Sequence, residues 1–236
     1  MEYRFEYMFP RQLEQRMADM PVVFAPTGLL EWHADHLPLG QDALKAHGIC
    51  IRAAEKLGGG VVMPPNYFGT PGFSSYLGTL TYTEDCLRPV FLAYLEQLAK
   101  IGAKVIMLIT GHYGSIQVDF IRDVADRFRA QYPNVTLFAR PEYEDIEVDG
   151  ETPADHAGKW ETSMFMSIYP DAVDMDSYQT KPDGMKTYKN PPADYFREPP
   201  EWDFGYDVRA ASSIELGKKA IEIITDKMVA DIRGAL

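Results

Sequence analysis

The sequence predicts an α/β fold, a mainly parallel sheet with helices on both of its faces. Three observations predict it. Short apolar runs rich in Val and Ile recur along the chain, and amphipathic segments with helical spacing separate them. The strongest run, Lys104–Thr110 (KVIMLIT), is a continuous apolar strand of the kind covered on both faces. The alternation of strand and helix then favours parallel pairing, because each helix serves as a crossover.

The elements follow in order. Pro21–Pro26 (PVVFAP) reads as a buried strand closed by proline and Gly28. Asp42–Leu57 reads as a helix on the spacing of Leu44, Ile49, Ala53 and Leu57, stopped by Gly58-Gly59-Gly60. Val61–Met63 is a second short strand, closed by Pro64-Pro65. Glu84–Ile101 is the clearest amphipathic helix, with Leu87, Phe91, Tyr94, Leu98 and Ile101 on one face and Thr83 as N-cap. Strand Lys104–Thr110, helix Ser115–Tyr132 and strand Val135–Ala139 continue the alternation, and a helix near Trp160–Ile168 follows. Residues 174–206 are rich in Pro, Asp and Tyr without periodicity. The pattern predicts a functional loop, an oligomer contact or a mobile segment there, with Trp202, Phe204 and Tyr206 helping to close a pocket or an interface. Ser212-Ser213-Ile214-Glu215 offers a capping box for a last helix carrying Ile221, Ile224, Met228 and Ile232. The whole chain, 1–236, reads as one domain.

Composition narrows the function. Lys and Arg number 23 against 35 Asp and Glu, a formal charge of −12. A phosphate-binding surface needs clustered cations, and the longest basic run is Lys218-Lys219, so nucleic acid is an unexpected partner. No apolar stretch approaches the ~18 residues that span a bilayer, and the N-terminal segment is charged and aromatic, which disfavours a signal peptide and a membrane role. Cys50 and Cys86 have no paired spacing. They read as reduced thiols packed in the core of a cytoplasmic protein. Tyr67, Phe68, Phe73 and Tyr76 read as core and pocket wall.

With five histidines in the chain, three clusters draw attention. Glu31-Trp32-His33-Ala34-Asp35-His36 and Asp42 lie between the first strand and the first long helix, where open α/β sheets bind ligands. Glu31 and His33 are two residues apart and in extended backbone face one way, a start for a zinc, manganese or iron site. Asp42 can cap the helix with one oxygen and offer the other to a metal. Thr110-Gly111-His112-Tyr113-Gly114-Ser115 follows the strongest strand and opens a helix on the same edge. Asp155-His156-Ala157-Gly158-Lys159-Trp160-Glu161 supplies a further imidazole and, one helical turn later, a carboxylate. Each cluster alone also reads as ordinary loop polarity or helix capping. Their combination, on Gly- and Pro-shaped loops, favours a metal site. His47, within the first long helix, reads as a packing residue or a support to such a site.

The three clusters together resemble the creatininase (creatinine amidohydrolase) family. Its first motif, P-x-G-x-x-E-x-H-x-x-H-L-P-L-x-x-D, is matched at every specified position by Pro26–Asp42 (PTGLLEWHADHLPLGQD). Its N-G-H-x-x-N appears as TGHYGS from Thr110 to Ser115. Its H-A-G-E-x-E-T-S appears as HAGKWETS from His156 to Ser163, with Lys159 in place of the first glutamate. Leu77-Gly78-Thr79-Leu80 is a further family-like stretch.

The resemblance implies a three-layer α/β/α sandwich, two divalent metal ions (Zn, Mn or Fe) and a homohexamer. It implies metal ligands at Glu31, His33, Asp42 and His112, with Asp42 bridging, a catalytic His156, and a pocket position for Tyr113. Creatininase proper has a further glutamate ligand where this chain has Gly114, and Glu161 is the candidate replacement. Lys159 and Trp160 are candidate substrate contacts, and His36 a candidate support behind the ligands. The implied function is metal-dependent hydrolysis of a small cyclic amide, formamide or related carbonyl compound by a metal-bridging hydroxide. Two alternatives stand beside it: a carbon–carbon bond hydrolase of a cyclic keto-polyol, and a metal-binding oligomer without catalysis.

Overall fold

Residues 2–180 and 204–236 are described by a computed structural model of the chain. Four strands, β1 (Val22–Thr27), β2 (Val61–Val62), β3 (Val105–Thr110) and β4 (Thr136–Pro141), pair in parallel in the order β2-β1-β3-β4. The register sets Val22 opposite Val105 and Val105 opposite Thr136. Strand side chains alternate between faces, and this divides the core in two. Val22, Phe24, Val62, Val105, Met107 and Ile109 face helices α2 (Gln41–Leu57), α5 (Lys159–Ile168) and α7 (Ile214–Ala235). Val23, Ala25, Val61, Ile106, Leu108, Leu137 and Ala139 face α1 (Pro10–Asp19), α3 (Glu84–Lys100) and α4 (Ser115–Gln131). Each fully buried Leu, Ile or Phe of these layers contributes about 1.5–3 kcal/mol of burial free energy. The architecture is the three-layer sandwich that the sequence implies.

The strand order decides where a ligand can sit. The β1–β2 crossover carries α2 over one face, whereas the β2–β3 and β3–β4 crossovers carry α3 and α4 over the other. The chain therefore leaves the carboxyl ends of neighbouring β1 and β3 in opposite directions and opens a crevice between them.

Local chemistry explains the boundaries. Thr83 caps α3 by accepting from the Cys86 amide at 3.3 Å. Gly58, at φ +80°, ends α2 with its amide on Ala54. The last helix departs from the expected capping box: Ser213, not Ser212, is the cap, accepting from the Leu216 amide at 3.0 Å. Glu215 is thus one residue short of the position from which it could bond back. Helix α1 has no counterpart in the sequence reading, because the segment is polar overall and Met17 is its one buried side chain. On α3 the buried face is Leu87, Phe91, Leu95 and Leu98, so Leu95 belongs to it and Tyr94 lies at its margin. Of the two thiols, Cys50 is core as expected, but Cys86 is exposed on the first turn of α3. Phe68 is likewise exposed rather than core, packing edge-on against Tyr82.

Candidate functional site

The crevice is built by close backbone approach. A side chain at Gly28 would stand 2.4 Å from the Ala43 nitrogen, and one at Gly111 only 2.1 Å from the Asp42 carbonyl oxygen. These two glycines let the start of α2 nest against the ends of β1 and β3, and that contact places Asp42. Asp42 does not cap the helix: the N-cap is Gly40, with no side-chain bond, and Asp42 lies inside the first turn. Both its oxygens are thereby released to the crevice.

Three carboxylates and two imidazoles converge there, all almost wholly buried. Asp42 Oδ1 lies 2.9 Å from His33 Nε2, and Asp42 Oδ2 lies 3.3 Å from His112 Nδ1. Glu31 Oε2 is 3.0 Å from His112 Nδ1, and Glu161 Oε2 is 3.3 Å from His33 Nε2. The groups thus form two triads, Glu31–Asp42–His112 and His33–Asp42–Glu161, which share Asp42. Within each, the donor atoms lie within 4.8 Å of one another, and a third set links Glu31, His33 and His156.

Although close, Glu31 Oε2, Asp42 Oδ2 and His33 Nε2 make no aligned hydrogen bond among the described residues. Buried polar atoms left in this state are costly unless another species completes them. Burial opposes charge on all these groups, but their neighbours outweigh it. His112 holds Glu31 below the usual carboxylate range, and His33 with His112 holds Asp42 well below it. Asp42 and Glu161 raise His33 well above the ordinary imidazole range, and Glu31 with Asp42 raises His112 to about 10. Two imidazolium cations therefore offset two of the three carboxylates where divalent cations would fit.

His156 stands at the mouth, with 17 % of its side chain exposed. Its ring packs on Phe73 (centroids 4.2 Å) and His33 (4.3 Å), and its Nδ1 is 3.9 Å from Glu31 Oε2. Burial, reinforced by the neighbouring His33, lowers its pKa to about 4, so the ring is neutral at physiological pH. The Phe73 amide donates to Glu31 Oε1 at 2.5 Å and ties the 71–73 turn to the cluster. A cavity of about 460 Å³ opens above, walled by Phe73, Tyr113, Gly114, Ile116, Asp155 and His156, with Glu31, Asp42, His112 and Glu161 at its floor.

The structure brings Glu31, His33, Asp42, His112, Glu161, His156 and Tyr113 together. It does not bring Lys159 and Trp160 to the cavity. Lys159 turns outward to Glu151 at 2.6 Å, and Trp160 is buried in the core layer with α2 and α7, because α5 presents Glu161 and not these neighbours to the crevice. His47 is a packing residue beside the N-terminal segment, where burial lowers its pKa and Glu6 and Arg4 are its charged neighbours. The described ends of the 174–206 segment lie on the His36 side of the site: Tyr178 and Phe204 pack against His36, and the Asp174 amide donates to its carbonyl. Trp202 lies outside the described residues.

Sequence reading overlooked Lys45. It follows Asp42 by three positions on α2, which puts both on one face, but a lysine in a helix ordinarily reads as solvated. Its side chain is fully buried, with Nζ 2.8 Å from Glu161 Oε1 and 3.1 Å from Glu142 Oε1. The Tyr113 hydroxyl accepts from Lys45 at 2.5 Å and donates to Glu142 at 2.8 Å.

His36 lies behind the cluster, its Nε2 2.9 Å from Thr162 Oγ1, and joins the β1–α2 loop to α5. Burial, and then the charge of His33, lowers its pKa from 6.5 to about 4. In the unfolded chain the imidazole takes up a proton below about 6.5, whereas in the folded chain it resists. Stability is therefore lost as pH falls from 6.5 towards 4, by up to about 3 kcal/mol at the lower end. His36→Gln is expected to flatten this part of the melting-temperature profile, and a profile with wild-type slope would refute the assignment.

An α/β/α sandwich with a paired carboxylate–imidazole cluster at its strand switch is the form of a metal-dependent hydrolase. The chain matches the family Creatininase (creatinine amidohydrolase) over residues 6–232, and it belongs to that family, whose members are metal-dependent amidohydrolases. It is 28% identical over 176 residues to the creatinine amidohydrolase of Pseudomonas putida, covering 66% of this chain and 67% of that one. It is also 28% identical over 166 residues to the mycofactocin precursor peptide peptidase of Mycobacterium ulcerans (strain Agy99), covering 65% of this chain and 60% of the relative, so under two thirds of the latter's length. Among solved structures, a manganese creatininase superposes with a TM-score of 0.76 at 23% identity, covering 99% of this chain and 98% of that chain. A Zn-Zn type creatininase variant gives 0.78 at 21%, with the same coverage. At these identities the likeness shows the fold.

Proposed function

We propose that this protein is a hydrolase of a small cyclic amide, formamide or related carbonyl compound, and that it works with two divalent cations. The observation that carries this reading is the pair of buried triads sharing Asp42, whose donor atoms converge without satisfying one another. Glu31, Asp42 and His112 would hold one cation, and His33, Asp42 and Glu161 the other. Three carboxylates against two dications leave room for one further anion, a balance that suits zinc, manganese or iron among N and O donors. When bound, such cations supply Lewis acidity for a carbonyl and increase the acidity of water.

The chain's own residues would do the rest. Neutral His156, at the cavity mouth, takes a proton from the attacking water and passes it to the leaving nitrogen. Phe73 and Ile116 bracket the cavity with apolar surface and exclude water around that transfer. Gly114, which carries no side chain, widens the floor towards Ser115. Past Tyr113 and Ser115 lies a second hollow of about 870 Å³, lined by Asp119, Arg122, Tyr143, Glu144 and Thr152. That neighbouring hollow, which shares Tyr113 and Ser115 with the first, would suit an amide longer than a simple ring. The exposed apolar side chains Phe68, Leu77, Leu80 and Val90 support the homo-oligomer, a hexamer in the family pattern. No described helix is long and apolar enough to cross a membrane, which fits the cytoplasmic compartment proposed here.

The test is a panel of creatinine-like lactams, N-formyl amines, short peptides and cyclic keto-polyols, assayed with Zn²⁺, Mn²⁺ or Fe²⁺ restored to metal-free protein. Metal-dependent release of amine from an amide is the expected result. Turnover of the keto-polyols alone would replace the amide reading with carbon–carbon hydrolysis.

A further inference from the structure

The cluster has a charged support behind it that the proposed chemistry does not use. Lys45, Glu142 and Tyr113 come from α2, the end of β4 and the β3–α4 turn, and they meet in a space closed to solvent on the Lys45 and Glu142 sides. The lysine donates to Glu161 Oε1, the Tyr113 hydroxyl and, at 3.5 Å, the Gly111 carbonyl; it pairs with Glu142 Oε1 at 3.1 Å, and its Nζ lies 4.1 Å from the Tyr113 ring centre. The two oxygens of Glu161 are thereby divided. Oε1 belongs to Lys45, whereas Oε2 accepts from the Ala157 amide at 2.8 Å and faces His33 at 3.3 Å. A free carboxylate on a helix can rotate or chelate with both oxygens; this one is gripped at one oxygen and aimed with the other.

We propose that Lys45 is a positioning residue which fixes Glu161 as a one-oxygen ligand of the cation shared with His33 and Asp42. The inference rests on the two-cation reading above. Glu161 supplies the anion that Gly114 cannot, and it comes from a different element, so its aim has to be set by something other than the β3–α4 turn. Lys45 sets it from the helix that also carries Asp42, which links both carboxylates of this triad to one rigid element. Glu142 lets the lysine be buried there: its negative charge offsets Nζ at 3.1 Å, so the support adds little net positive charge beside an incoming cation.

The charge balance dictates the variant. K45M alone would strand Glu142, whereas K45M/E142Q removes one positive and one negative charge and leaves Glu161 held by the Ala157 amide alone, with Oε1 released. Metal-free wild type and K45M/E142Q are titrated with Mn²⁺ by calorimetry, with circular dichroism confirming the fold. Wild type should bind two ions per chain. The variant should keep one at wild-type affinity and bind the other about tenfold or more weakly, the size of effect expected when a ligand loses its outer partner. Two ions at wild-type affinity in the variant would overturn the inference, and so would equal weakening of both, which marks a general structural role. Wild type binding fewer than two ions would instead defeat the two-cation reading itself. If the variant does not fold, a crystal structure of Mn²⁺-loaded wild type decides. Glu161 on the ion through one oxygen, with the other on Lys45, supports the proposal; a Glu161 that chelates with both oxygens, or stands off the ion, refutes it.

Discussion

Asp42→Ala is expected to abolish metal binding and hydrolysis together. Asp42 is the one residue common to both triads, with Oδ1 towards His33 and Oδ2 towards His112. Loss of any other carboxylate would leave one triad with its three donors, whereas loss of Asp42 leaves neither. Two cations held by triads that share a residue would repel, and the shared carboxylate would offset that repulsion. Transition-state stabilisation by bound metal is worth several kcal/mol, so turnover should fall by about a thousandfold or more. The change opens no cavity in either apolar layer, and the start of α2 remains held by its approach to Gly28 and Gly111. The fold should therefore persist, and Asp42→Asn, which keeps the shape and removes the charge, serves as control. Elemental analysis after dialysis and a kcat/KM measurement check the prediction. An alanine variant that retains metal and activity would show that Asp42 does not bridge.

The legible part of this molecule is the part written in continuous sequence. Strands β1 and β3 declare themselves because both of their faces are buried, so every residue but the closing threonine of each is apolar; α3 and α4 do so because one face is. The buried carboxylate–imidazole cluster was legible for a related reason. Glu31, His33 and Asp42 share one short loop, His112 follows the most apolar strand, and His156 with Glu161 brackets a helix start. What could not be read was the support. Lys45 looks like any helix-surface lysine until the crossover brings Glu161 and Glu142 over it, contacts made across 116 residues in one case and 97 in the other. Lys159 failed in the opposite direction. Its place within a motif suggested the pocket, but the rotation of α5 that delivers Glu161 inward necessarily turns Lys159 out to Glu151. The Asp42 cap failed for a reason peculiar to the site: Gly40 starts the helix two residues early, and a carboxylate bonded to helix amides would have been lost to the crevice.

His156→Gln is expected to lower kcat by about 10²–10⁴ while leaving both metal ions bound. His156 has a rival role, because its ring joins Glu31 and His33 in a third set of possible donors. Position argues against that role. Its Nδ1 is 3.9 Å from Glu31 Oε2, the nearest carboxylate oxygen among the described residues, against 2.9–3.3 Å for His33 and His112, and its ring lies on Phe73 with one edge towards the cavity. Electrostatics separates them in the same sense. The carboxylates raise the pKa of His33 and His112, as befits nitrogens seated among anions, whereas burial and the His33 charge keep His156 neutral. A neutral imidazole at the mouth is available to accept a proton and hand it on; one buried among carboxylates is already protonated until a cation displaces that proton. Glutamine keeps the polarity and much of the volume but cannot carry a proton between the two steps. The separation of roles is therefore read from two measurements on one variant. Unchanged metal content with a collapsed kcat and a nearly constant KM assigns proton transfer to His156, whereas a loss of one ion per chain would make it a ligand.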